Sequence, residues 1–235
     1  MKIRIQPEIF INYPEVKLAV LALSNINNSG SDQEITTLLR RAEDRALELL
    51  GDTSIIEYPK IASWRDAYRK FGAKPKKYPS SIENLIRRIS NGENVRHINK
   101  LVDIYNIISL CFLVPVGGEN IDQIKGDIVL GIACEKEKPV ILLGESETRA
   151  PHPNEVIYKD DIGTICRRWN WKEVDRTKLT EDTKRAVVVI EGLPPVEKDE
   201  LNEAMTQMAQ LITKYCGGSS KSAILDKNRT EFDLD

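Results

Sequence analysis

The order of apolar and polar residues in the first half of the chain predicts two strands and four helices. Met1–Ile5 alternates apolar and charged residues, as an exposed edge strand does, whereas Lys17–Leu23 is a continuous apolar run that suits a buried strand. Capping boxes at Ser31–Glu34 and Ser80–Glu83 predict helix starts, because Ser and Glu side chains there satisfy free backbone N–H groups. The predicted helices run from Ser31 to the stop at Gly51, from Ile61 to Phe71, from Ser80 to Asn91–Gly92, and from Leu101 to Val114 before Pro115.

The second half of the chain predicts short strands and one last helix. Each strand-like run is bounded by Gly, Pro, Asp or Asn. The runs cover residues 128–133, 139–143, 155–158, 163–166 and 185–191, and an amphipathic helix follows at 199–215. This order indicates an α+β fold. We expect an N-terminal strand–helix region packed on the core (1–60), a main domain (61–217) and a flexible, frayed tail (218–235).

Composition and charge are those of an ordinary globular protein. The chain has 34 Lys and Arg against 36 Asp and Glu, and 41% of its residues are hydrophobic. Neither a polycation nor an acidic disordered segment is indicated. Because no apolar run approaches the roughly 20 residues of a membrane-spanning helix, and the N-terminus lacks a signal-peptide core, we expect a cytoplasmic protein with no membrane partner.

Several common catalytic patterns are missing from the sequence. Four cysteines without C-x-x-C spacing and only two histidines do not predict a metal site, and the cysteines are expected to be free thiols. The glycine patterns that bind nucleotide phosphates are absent, as is the G-x-S-x-G pattern of serine hydrolases. We expect neither a metal nor a cofactor.

A strongly basic segment lies between Arg69 and Lys100. It contains nine Lys and Arg residues and two Glu residues, which gives a local charge of +7. It is either a solvated helical surface or a patch that binds the phosphates of a nucleic acid, since clustered basic side chains gain affinity by releasing counterions. The candidate RNA-binding residues are Lys74, Lys76, Lys77, Arg87, Arg88, Arg96 and Lys100.

Polar residues recur on one face of an otherwise apolar predicted helix. Asn99, Asp103 and Asn106 are spaced at i, i+4 and i+7. Polar groups buried there must find partners or cost about 1–3 kcal/mol each. They form either an internal network or a pocket in which Asn106 binds a ligand.

The segment Cys166-Arg-Arg-Trp-Asn-Trp171 combines hydrogen-bond donors with flat aromatic surfaces. In strand geometry Arg167, Trp169 and Trp171 share one side, and Arg168 and Asn170 share the other. The segment is either a buried tryptophan pair covered by arginines or the wall of a pocket for a planar or charged ligand. Nearby, the hydroxyl of Thr180 or Thr183 is positioned to hold a water or a ribose.

The sequence motifs around these residues, taken in chain order, resemble the B3/B4 editing module of the bacterial phenylalanyl-tRNA synthetase beta subunit. They resemble more closely the free-standing proteins built around that module. The resemblance spans about Tyr78 to Glu191. Its most specific strings are Leu101-Val-Asp-Ile-Tyr-Asn106 and Cys166-Arg-Arg-Trp-Asn-Trp171, supported by Tyr78-Pro-Ser-Ser81, Pro115-Val-Gly-Gly118, Gly126-Asp-Ile-Val-Leu130, Asn154-Glu-Val-Ile-Tyr-Lys-Asp160 and Thr180-Glu-Asp-Thr183.

The resemblance implies a mixed sheet with packed helices around a central pocket for an aminoacyl group. The family's pocket asparagine matches Asn106. Where the synthetase motif continues to Pro-Leu-His, this sequence reads Pro115-Val-Gly117-Gly118, so the editing histidine is missing. The Cys166–Trp171 run replaces a later glycine-rich strand. The motifs for ATP and amino-acid activation are absent, so the chain is not expected to aminoacylate tRNA.

These expectations combine into a free-standing tRNA-binding protein that hydrolyses mischarged aminoacyl-tRNA in trans, with the basic segment on the acceptor end and no DNA partner. The expected catalytic or pocket residues are Asn106, Arg167, Arg168, Asn170 and Thr183, and the expected substrate-binding residues are Asp103, Gly117, Gly118, Glu155, Trp169 and Trp171. The alternatives are a non-catalytic module of the same fold that binds RNA or an amino acid, and a relic whose pocket residues merely pack.

Overall fold

Six α-helices and twelve β-strands make up the chain in a computed structural model that describes residues 1–235. The helices are α1 (Pro7–Asn12), α2 (Gln33–Leu50), α3 (Pro59–Lys70), α4 (Ser81–Ser90), α5 (Lys100–Phe112) and α6 (Lys198–Tyr215). The strands are β1 (Lys2–Ile5), β2 (Lys17–Ser24), β3 (Val116–Asn120), β4 (Ile128–Ile132), β5 (Val140–Ile141), β6 (Thr148–Arg149), β7 (Val156–Lys159), β8 (Thr164–Arg167), β9 (Lys172–Glu173), β10 (Ala186–Gly192), β11 (Ser219–Leu225) and β12 (Glu231–Asp233). Short 3-10 turns lie at Ile55–Glu57 and Ile121–Gln123.

Two sheets and a small hairpin organise these strands. The four-stranded sheet has the order β11-β2-β10-β3 and is antiparallel throughout. The six-stranded sheet has the order β12-β1-β4-β7-β8-β9, in which only the β1–β4 pair is parallel. Strands β5 and β6 pair only with each other. The predicted α+β class is confirmed.

The alternation of side chains along β2 separates two hydrophobic cores. Ala19, Leu21 and Leu23 face the helices, whereas Leu18 and Val20 face the six-stranded sheet. A strand points successive side chains to opposite faces, so the four-stranded sheet is the middle layer. Helices α2, α5 and α6 cover its outer face.

Local capping explains where the helices begin. Ser80 accepts a hydrogen bond from the Glu83 backbone N–H, as predicted, and Asn99 accepts one from Val102 at the start of α5. Helix α2 is capped by Asp32, which accepts from the backbone of the two residues that follow Gln33, and not by the predicted Ser31. The side chains of Ser31 and Asp32 both carry an oxygen that can cap a helix, but it is Asp32 that accepts from the backbone N–H groups.

The C-terminal residues correct two of the predictions. They form β11 and β12 instead of a frayed tail, and Leu225 and Leu234 are buried. Because β12 pairs with β1 on one side and β4 pairs with it on the other, β1 is an interior strand and not an exposed edge. The polar composition of residues 219–235 does not indicate that they form sheet strands, because apolar side chains occur only at their inward-facing positions.

Other differences are smaller. The predicted strand at 139–143 is reduced to the two residues of β5, and α1, β3, β6 and β9 were not predicted. None of the helices combines the length and the hydropathy of a bilayer-spanning segment.

Candidate functional site

A cavity of about 310 Å³ lies between the two sheets, bordered by α4 and α5. Sites for small molecules begin at about 300 Å³, so this one suits a guest of few atoms. Its apolar wall is formed by side chains from both sheets, Ile3, Val116, Ile128, Ile165, Val187 and Val189, and by Leu143 just after β5.

Asn106 lies on α5 and turns its side chain into this cavity. The residue is only 9% exposed, and its amide makes no hydrogen bond with the protein. Because the residue lines the cavity, its amide can hydrogen-bond to a guest or to water there.

The other two polar residues of this helix face, Asn99 and Asp103, make hydrogen bonds at the N-terminus of α5. Asn99 caps α5 and also donates to the backbone carbonyl of Leu179 at 3.3 Å. Asp103 accepts from the backbone of Ile98 at 3.2 Å and is bonded to the ring of His97. Asp103 is therefore a bracing residue that lies outside the cavity lining.

The expected strand alternation at Cys166–Trp171 is wrong, because β8 ends at Arg167. Arg168 and Trp169 have φ angles of 47° and 64°, in the left-handed region, so the chain turns there. Trp169 is fully buried and packs edge-to-face on Tyr13 and Trp64, with ring centres 4.9 Å apart in both pairs.

Glu155 binds both arginines and keeps them out of the cavity lining. It accepts from Arg167 Nε at 3.0 Å and Nη2 at 2.7 Å, and from the Arg168 backbone N–H at 2.9 Å. Arg167 is 2% exposed. Burial opposes ionisation of Glu155, but the hydrogen bonds and charge of Arg167 outweigh it and lower the pKa of Glu155.

The Arg168 side chain forms part of the outer wall of the site. Its guanidinium carbon lies 3.7 Å from the Tyr78 ring centre and 4.6 Å from that of Trp171, and the two rings are 4.9 Å apart. Trp171 lines the cavity, whereas Arg168, Lys74 and Lys77 line a separate surface depression. A basic surface and the cavity thus meet at one aromatic wall.

Three carboxyl groups that the sequence reasoning missed line the cavity: Glu119 on β3, Glu173 on β9 and Glu191 on β10. Tyr158 Oη and Asn170 Nδ2 both donate to Glu191, and Tyr68 Oη donates to Asn170 Oδ1 at 2.9 Å. Burial raises the pKa of Glu191 to about 7.

Glu119 and Glu173 lack such side-chain networks, although the Gly118 backbone N–H acts on the Glu173 carboxylate and the Thr177 hydroxyl acts on that of Glu119. Glu119 is 8% exposed, and its Oε2 has no hydrogen-bond partner. Burial, followed by the charge of Glu173, raises the pKa of Glu119 well above its ordinary value, and burial raises that of Glu173 to about 7. A sequence signal existed, since Glu119 and Glu191 each follow apolar or glycine residues of a buried strand, where a carboxyl group is costly.

The two glycines of β3 have different roles. A Cβ on Gly117 would lie 3.7 Å from Glu173 Oε1, an ordinary van der Waals contact, so Gly117 lies beside the carboxylate without being required by it. A Cβ on Gly118 would come within 3.0 Å of Leu179 Cδ1 and 3.1 Å of the Val187 carbonyl oxygen, so the absence of a side chain there permits close packing.

The structure divides the predicted site residues into two groups. The cavity lining includes Asn106, Gly117, Gly118, Trp169, Asn170 and Trp171. It does not include Asp103, Glu155, Arg167, Arg168 or Thr183. Thr183 is buried in a turn, where its Oγ1 accepts from the Thr180 backbone N–H at 2.9 Å.

The basic segment is divided as well. Lys74, Lys76 and Lys77 are exposed in the α3–α4 loop. Arg87 pairs with the buried Glu83, and Arg88 with Glu93. Arg96 is exposed just before α5, and Lys100 is its first residue, about 9 Å along the axis from Asn106 at the usual rise per residue.

Comparison with known proteins identifies the family. The family model described as the B3/4 domain matches residues 63–217. The chain belongs to the B3/4 domain family. The matched range contains α5, β3, β9 and β10, and hence Asn106 and the three cavity carboxyl groups of this B3/4 protein.

One solved structure that resembles this B3/4 protein is an N-terminal fragment of the phenylalanyl-tRNA synthetase beta subunit from Pyrococcus horikoshii. The two are 11% identical with a TM-score of 0.48, and the match covers 98% of this chain and 53% of the fragment. This chain therefore spans about half the length of that fragment. No curated protein matches it.

Proposed function

We propose that this B3/4 protein binds the aminoacyl end of tRNA and hydrolyses the ester bond of mischarged aminoacyl-tRNA in trans. The observation that carries the proposal is the free amide of Asn106 in a largely apolar cavity of about 310 Å³. The cavity has the size for an aminoacyl group, and membership of the B3/4 domain family supports a role connected with aminoacyl-tRNA synthetases.

The reaction asks little of the protein, because an aminoacyl ester is already activated. Water adds to the ester carbon, the bond to the ribose oxygen breaks, and the ribose hydroxyl re-forms with a proton from that water. Asn106 Nδ2 would donate to the carbonyl oxygen as negative charge develops there, or its Oδ1 would hold the water. The neighbouring ribose hydroxyl would relay the proton, which agrees with the absence of a histidine from the lining.

The basic surface beside the cavity would hold the RNA. Lys74 and Lys77 would contact phosphates, and the terminal adenine would stack on the aromatic wall formed by Tyr78 and Trp171. Single-stranded RNA ends are bound by such stacking and backbone contacts. Arg167 is not expected to contact the RNA or the ester, because both hydrogen bonds of its guanidinium group are made to Glu155.

The test is deacylation of a panel of aminoacyl-tRNAs by the wild type and Asn106→Ala, with Asn94→Ala as the control because Asn94 is exposed. We expect the wild type and Asn94→Ala to shorten the ester half-life of at least one member. Asn106→Ala should lose most of this acceleration, by a factor on the order of 100. Equal half-lives with wild type, Asn106→Ala and no protein would remove the enzymatic claim.

A non-catalytic binding module is the second candidate. The Asn170 amide of the lining donates to the Glu191 carboxylate, so these two polar groups are not free to act on a substrate. Salt-dependent tRNA binding without turnover would favour an RNA-binding module. Saturable amino-acid binding that is indifferent to salt would favour a sensor.

A further inference from the structure

Glu119 and Glu173 approach each other across the cavity. Glu119 lies two residues after Gly117 on β3, so both point to the same face of the strand. A Cβ at Gly117 would lie 3.7 Å from Glu173 Oε1, which shows that the Glu173 carboxylate reaches across from β9 to this face.

No basic side chain of the protein neutralises this pair. Lys172 is the basic residue of the lining, and its Nζ is bonded to Glu145 at 2.8 Å. Arg176, whose charge acts on Glu119, is paired with Asp160 at 2.9 Å. One oxygen of the 8%-exposed Glu119 has no hydrogen-bond partner.

Two carboxyl groups in this setting either share a proton or bind a cation, because two like charges in an apolar surrounding are costly. An ammonium group suits the site. It has three N–H donors, and the two carboxylates and the amide oxygen of Asn106 all line the same cavity as possible acceptors. The side-chain clusters of the protein include no group of three His, Cys, Asp or Glu that could hold a metal ion.

We propose that Glu119 and Glu173 form a subsite for the protonated amino group of the guest. The cavity then takes primary amines with an apolar body, such as the α-ammonium end of an aminoacyl ester, and rejects the same molecules without the amino group. This inference rests on the proposed function for the identity of the ester but not for the chemistry of the subsite.

The experiment compares three amides by calorimetry near neutral pH. L-Leucinamide carries the ammonium, 4-methylpentanamide lacks it, and N-acetyl-L-leucinamide masks it; L-phenylalaninamide with 3-phenylpropanamide forms a second pair. We expect the amine to bind at least about tenfold more tightly than its deamino partner, as charge-assisted hydrogen bonds imply. Glu119→Gln and Glu173→Gln should reduce this ratio towards one.

Glu57→Gln is the matched control, because Glu57 is exposed and lies outside the lining. It should keep the wild-type ratio. Equal binding of amine and deamino amide, retention of the ratio in both Gln variants, or no binding of any probe would overturn the subsite. Thermal unfolding of each variant checks that it is folded.

Deacylation assays on the same proteins separate the two proposals. Hydrolysis by a wild type that shows no preference for amines would overturn the subsite alone. A preference for amines without hydrolysis of any aminoacyl-tRNA would support the subsite and contradict the proposed enzymatic activity.

Discussion

The buried carboxyl group of Glu191 should make the stability of the protein depend on pH. Burial raises its pKa from 4.5 to about 7. The folded state therefore holds a proton that the unfolded state releases, and this contribution to stability is present at low pH and is lost as pH rises from 4.5 through about 7. Each unit of difference between the folded and unfolded pKa values corresponds to about 1.4 kcal/mol. Ionisation of Glu191 should therefore lower the free energy of unfolding by about 2–3 kcal/mol between pH 5 and pH 8.

The assay is urea unfolding of the wild type and Glu191→Gln at both pH values. Gln is neutral throughout, and reversing the Asn170 amide would keep its bonds to Glu191→Gln and to Tyr68. The variant should lose about 2–3 kcal/mol less than the wild type over this range, while Glu57→Gln should follow the wild type. Since Glu119 and Glu173 act in the same direction, some pH dependence should survive. Identical losses in the wild type and Glu191→Gln would show that protonation of Glu191 does not stabilise the folded state.

Three further predictions concern the surrounding structure. Glu155→Gln should lower the free energy of unfolding by about 3–5 kcal/mol, measured by chemical denaturation, because it leaves buried guanidinium charge uncompensated; an unchanged value would contradict the bracing role. Deleting residues 219–235 should cost at least about 3–6 kcal/mol, since two buried leucines are lost with the strands, and limited proteolysis should show an unfolded chain; protease resistance like that of the full chain would contradict it. Replacing Lys74 and Lys77 by Ala should weaken tRNA binding and reduce the slope of log affinity against log salt by about one to two; an unchanged slope would exclude this loop from the RNA contact.

The local rules of the sequence predicted much of the fold. Residues such as Ser80 act within one turn of the helix that they begin, so short-range chemistry fixes their role. The family assignment from the strings around Asn106 and Cys166–Trp171 is likewise confirmed by the B3/4 match. The strand at residues 219–225 escaped prediction because its role depends on pairing with β2, nearly 200 residues earlier.

The candidate site was predicted less completely, and for physical reasons. The sequence indicated that Asn106 is exceptional, because a polar residue on an apolar helix must have a partner or a ligand. It did not reveal that Glu155 binds both Arg167 and the backbone of Arg168, because that contact joins two strands through a left-handed turn. The approach of Glu119 to Glu173 depends on sheet geometry, which no local pattern encodes.

We propose that the cavity beside Asn106 receives an amino acid still attached to its nucleotide. A crystal structure with 3′-aminoacylamino-3′-deoxyadenosine, whose amide bond resists hydrolysis, would show where such a molecule binds. We predict the aminoacyl group between the two sheets with Asn106 hydrogen-bonded to it, and the adenine at the wall formed by Tyr78 and Trp171. Ordered ligand elsewhere on the protein, with none in the cavity, would contradict binding of the aminoacyl group beside Asn106.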